Sequence, residues 1–74
     1  MNLDNKIKQL QNTFELRAQI ADRMWEIDRL REIEQVYVDS EEYEKAAMIL
    51  KRQKQITRLI NKQKLKLKEY EDAL

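Results

Sequence analysis

The sequence predicts an all-α fold of two long antiparallel helices, a helical hairpin or coiled coil, and three observations predict it. The 74 residues contain no glycine and no proline, so strong helix breakers are absent and β-hairpins have no turn chemistry to use. Ala46, Ile49, Gln53, Ile56, Ile60, Gln63, Leu67, Tyr70 and Leu74 step alternately by three and four, which places all nine on one stripe of a helix. Between this stripe and an earlier apolar pattern lies a short stretch, residues 36–40, with the character of a break.

The first helix is expected over residues 3–37. Leu3, Ile7, Leu10 and Phe14 open it in heptad spacing, and Leu16, Ile20, Met24, Ile27, Leu30 and Ile33 then cover a wider face, as in a bundle. The turn is expected at 38–40. Val36, Tyr37 and Val38 are bulky, two of them β-branched, and lower helix propensity locally. Asp39 and Ser40 are good N-caps, and Asp39 with Glu42 has the spacing of a capping box. The second helix is expected over 41–73, with Glu41, Glu42 and Glu44 favoured by the positive end of its dipole. Folding at 38–40 sets Leu3 near Leu74, Ile7 near Tyr70, Leu10 near Leu67, Phe14 near Lys64 and Leu30 near Met48. One continuous helix is the alternative.

Composition excludes several classes of function. Without cysteine or histidine the chain has no disulfide, thiol nucleophile, imidazole base or ordinary zinc site. No glycine-rich loop supports nucleotide binding, and Asp39, Glu41, Glu42 and Glu44 lack the glycine and spacing of a calcium loop. The expectation is no catalysis, no cofactor, no metal and no small-molecule substrate. No apolar run approaches the ~20 residues of a membrane span, and residues 1–4 do not begin a signal peptide. A soluble, cytoplasmic chain without membrane contact is expected.

Charge is balanced overall, at +1, but unevenly placed. Lys51, Arg52, Lys54, Arg58, Lys62, Lys64, Lys66 and Lys68 form a run with no acidic residue among them. Such a run can contact nucleic-acid phosphates or an acidic partner. It can equally be solvated or paired with Glu15, Asp22, Glu26 and Asp28 of the first helix. Stacking aromatics are missing inside it, and no base-reading motif appears.

Residues 30–56 resemble the UVR motif, the short helical hairpin of the excision-repair subunits UvrB and UvrC and of some protease-associated regulators. Leu30-Arg31-Glu32-Ile33-Glu34-Gln35 precedes an acidic turn. Tyr43 stands at the motif's aromatic position, Glu44-Lys45-Ala46-Ala47 matches it residue by residue, and Arg52, Gln53 and Ile56 fall near its Arg, Gln and Ile. Glu41-Glu42 departs from the Leu and Asp or small residue common there. The resemblance implies pairing with a like hairpin into a four-helix bundle and a partner in DNA repair or protease regulation.

A chain this short buries little surface alone, so self-association or docking on a partner is expected. The expected function is a small protein–protein interaction module, an adaptor or modulator of a larger complex that forms a homodimer. Its expected interface comprises Tyr43, Ala46, Ala47, Ile49, Gln53, Ile56, Ile60, Gln63 and Leu67, with Trp25 as a further anchor. Gln53 and Gln63 interrupt the stripe and are expected either to pair across that interface or to be solvated at its rim. A small nucleic-acid-binding protein using the basic run is the alternative, and a viral-type inhibitor of host machinery is a third reading.

Overall fold

The computed structural model describes residues 3–74; Met1 and Asn2, where the reading of the N-terminus as lacking a signal peptide begins, lie outside the described residues. Two helices, α1 (Leu3–Asp39) and α2 (Tyr43–Asp72), pack antiparallel along their lengths, and no strand occurs among the described residues. The hairpin measures 59 by 14 by 12 Å, a rod one helix pair wide.

α2 turns its stripe inward. Ala46, Gln53, Ile56 and Ile60 are buried, and Ile49, Gln63, Leu67 and Tyr70 are half-buried; only Leu74, beyond the helix end, is exposed. α1 meets it with Gln9, Thr13, Leu16, Ile20, Arg23, Ile27, Leu30, Glu34 and Tyr37, again spaced by three and four. The core is short. Ile20, Ile27, Ile56 and Ile60 form it, Leu30 and Leu67 flank it, and Ile56 alone is wholly removed from solvent, at 0% exposure. Each such isoleucine contributes about 1.5–3 kcal/mol of transfer free energy.

Polar residues, Gln9, Thr13, Arg23 and Glu34, share the α1 seam with these apolar ones, and Thr13 and Glu34 find partners. The Thr13 hydroxyl donates to the Gln9 carbonyl at 2.8 Å, one turn back on its own helix. Thr57 does the same to Gln53 at 2.9 Å. The Gln53 amide donates to Glu34 Oε1 at 2.9 Å, and the Gln63 amide to Gln19 Oε1 at 2.7 Å. Gln9 Oε1, Arg23 Nε and Gln63 Oε1 are buried without a hydrogen bond, so the polar seam positions are only partly satisfied.

The turn lies at 40–42 rather than 38–40, because α1 continues through Asp39. The Glu42 N–H donates to the Tyr37 carbonyl at 2.8 Å and the Glu41 N–H to the Val38 carbonyl at 3.0 Å. Those two bonds, with Glu41 at φ 58°, make a Schellman motif. Its left-handed position is ordinarily glycine, and this chain has none. The expected capping box does not form. Asp39 belongs to α1 and accepts from the Gln35 amide at 2.8 Å, while α2 is capped at Glu42 with no side-chain bond.

This turn also resets the register. Arg17 reaches Glu71 at 3.2 Å, and Glu34 meets Gln53. Leu3 therefore does not meet Leu74, nor Phe14 Lys64. α1 is seven residues longer than α2, so its N-terminal arm runs about 10 Å past the end of its neighbour.

Candidate interaction surfaces

Interaction surfaces on a two-helix rod are whatever the single seam leaves outside. The residues expected at an interface divide on this basis. Ala46, Ile49, Gln53, Ile56, Ile60, Gln63 and Leu67 face the chain's own α1, while Tyr43, Ala47 and Trp25 remain exposed. Gln53 and Gln63 take a course not anticipated, each bonding to a side chain of α1 within the same hairpin.

A second apolar stripe on α1 is exposed. Leu3, Ile7, Leu10, Phe14, Ala21 and Met24 are all exposed. Each lies one residue on from a position of the seam-facing heptad, which rotates this stripe by about 100° from the hairpin interface. Arg17 interrupts it, tied to Glu71 of α2. Leu3 is 71% and Phe14 64% exposed, so most of each residue's apolar surface stays in water within the hairpin. Trp25 is 63% exposed, its ring covered on one face by the Arg29 guanidinium 4.9 Å from the centroid.

The basic run lies on the outward faces of α2. Arg52 pairs with Glu26 at 3.6 Å, and the Lys66 ammonium stands 5.9 Å from the Tyr70 ring centroid. Lys51, Lys54, Arg58, Lys62, Lys64 and Lys68 are exposed and make no ion pair among the described residues. The acidic residues of α1 neutralise little of the run. Asp28 turns instead to Arg31 of its own helix, at 3.6 Å.

Beside the turn, Lys45 joins both helices. Its ammonium contacts Glu42 at 3.0 Å and lies 5.7 Å from the Tyr37 ring centroid. The hydrogen bond that Lys45 donates to Glu42, reinforced by that carboxylate's charge, holds the Lys45 pKa above its ordinary 10.5. Lys45 therefore clasps the Schellman turn where a hydrophobic contact is usual. Tyr43, beside the clasp, is 63% exposed.

Among the described residues, no group of three or more acidic side chains is arranged to hold a metal ion, and no helix is long and apolar enough to cross a membrane. No protein-family model, curated protein or solved structure matches the chain.

The α1 outer stripe and the Lys45 clasp were not anticipated as sites. The stripe is visible in sequence as Leu3, Ile7, Leu10 and Phe14, whose heptad spacing predicts the hairpin's own seam. Nothing in sequence marked the clasp, because Lys45 reads as an ordinary exposed helix residue.

Proposed function

We propose that this hairpin is a protein–protein interaction module of the cytoplasm, a small adaptor or modulator that forms a homodimer and docks on a larger protein complex. One observation carries the reading: the chain leaves more surface outside than a compact monomer of its mass, and large apolar side chains are part of it. Its accessible surface is 6050 Å². A compact monomer of 9.1 kDa exposes about 4,900 Å². The excess, on the order of 1,000 Å², is comparable to the ~800 Å² that each partner contributes to a standard interface. Large side chains such as Phe14, Trp25, Tyr43 and Met48 make up part of it. The UVR likeness around Tyr43 and Ala47 supports a partner drawn from DNA-repair or protease-regulating assemblies.

Light scattering behind size exclusion tests the self-association, with an expected mass twice the 9.1 kDa of the chain. A mass of one chain at every concentration up to millimolar defeats it.

The unpaired basic residues of α2 favour nucleic-acid binding as a second reading. Phosphate neutralisation by several lysines makes affinity fall by orders of magnitude between about 50 and 200 mM salt. Failure to retain duplex DNA or RNA at the lower salt removes this reading.

A further inference from the structure

We propose that the N-terminal arm of α1 is a self-docking segment: residues 3–14 of one copy pair antiparallel with the same residues of a second copy, joining two hairpins end to end. This rests on the self-association in the function proposed above and names its surface.

About the first two turns of α1 project past α2, Leu10 and Phe14 lie alongside its end, and Leu3, Ile7, Leu10 and Phe14 are all exposed on a face turned away from the seam. A helix of only three turns is marginal in water without packing. The positions 3, 7, 10 and 14 keep the same four-three-four spacing when read backwards. A two-fold axis between residues 8 and 9 therefore sets Leu3 against Phe14 of the second copy and Ile7 against Leu10, an isologous contact built wholly from apolar side chains. The same operation brings Asp4 level with Thr13, Lys6 level with Gln11 and Lys8 level with Gln9, so no like charges face each other. Sliding the pair by one heptad sets Ile7 against Arg17, which puts a guanidinium into the seam and opposes its bond to Glu71. The pattern thus selects both the occupant and the register. The contact lies at the open end of each hairpin and leaves the turn, Trp25 and most of the basic face of α2 free.

Small-angle X-ray scattering on the light-scattering peak separates this arrangement from others. Two 59 Å rods sharing about 18 Å of arm give a dimer about 100 Å long. A dimer of the right mass but no longer than about 70 Å overturns the end-to-end pairing while leaving self-association standing. A monomer overturns both. Ile7→Asp with Leu10→Asp is expected to give monomer with the hairpin's helical signal retained, whereas Leu65→Asp, exposed on another face, leaves the dimer intact. Persistence of a 100 Å dimer in the double variant overturns the proposal. The chain has no cysteine, so an Ile7→Cys chain mixed with a Leu10→Cys chain reports the pairing without altering charge. A disulfide between the two supports it, and its absence under conditions where a dimer persists overturns it.

Discussion

The N-terminal arm of α1 and the middle of α2 carry heptads of similar apolar content, yet only the second is buried. Ile56 has no exposed surface, whereas Leu3 and Phe14 are largely in water. The α1 seam that meets α2 is the more polar of that helix's two stripes, holding Thr13, Arg23 and Glu34. Hydrophobic content alone therefore does not decide which face of a helix closes a hairpin. The turn sets the register and the face that α1 turns to α2, and the arm's apolar stripe lies partly past the end of α2 and otherwise on a face turned away from it.

Matched truncations in the two regions test this contrast most strongly. Ile56→Ala is expected to cost about 2–5 kcal/mol of hairpin stability, read by urea unfolding monitored by circular dichroism. Ile7→Ala, assayed at a concentration where the chain is monomeric, is expected to shift stability by less than about 0.5 kcal/mol. Equal losses at both sites would place the arm inside the hairpin's cooperative unit and erase the distinction.

The polar members of the seam offer a smaller effect with an internal control. Gln53→Leu removes the donor to Glu34 and leaves a half-buried carboxylate unpaired, at an expected cost of about 1–2 kcal/mol. Adding Glu34→Leu is expected to recover most of that loss, because two apolar groups then face each other. A double variant as unstable as the single one removes the Gln53–Glu34 bond from the account of the seam.

Glu41→Gly probes the turn that sets the register. Relief of a left-handed backbone outweighs the entropy that glycine adds to the unfolded chain, for an expected gain of about 0.5–1 kcal/mol in thermal unfolding. No gain, or a loss, means that the backbone at 41 is not under the strain its φ implies.

The Lys45 clasp gives the smallest effect. Lys45→Met is expected to lower the melting temperature slightly. Since the folded pKa is raised above 10.5, the clasp's contribution is complete below that value and is lost as pH rises through the folded pKa. The melting difference between wild type and Lys45→Met is thus expected to hold steady from pH 7 to 9 and to shrink in stronger alkali. A difference that fades between pH 7 and 9 assigns it to some other group.

Much of this was legible beforehand, unevenly. α2 could be read position by position because one stripe runs through it unrivalled and its two glutamines fall on the same spacing. α1 carries two stripes, and the one with the cleaner apolar spacing is not the one that meets α2. Choosing between them required the turn, which sequence placed two residues early. Asp39 and Ser40 look like N-caps of a following helix, but here they close the preceding one, because a Schellman turn satisfies the last carbonyls of α1 through backbone bonds alone. Without a glycine at the left-handed position, that motif leaves no mark in the sequence. A small error in the turn moves every opposing pair by about one helical turn, which is why the arm was matched to the end of α2 instead of being left beyond it.

The antiparallel course of the helices has a mechanical consequence. Leu3 and Leu74 both lie at the end away from the turn, so a load applied between them peels the helices apart from the open end. The weakly held Arg17–Glu71 level yields first, and the isoleucine layers follow one at a time at low force. The same load applied between the turn and the open end pulls along the rod axis and is shared by every layer at once. A tether through the two chain ends therefore unzips this hairpin, while one gripping the turn meets a stiff strut.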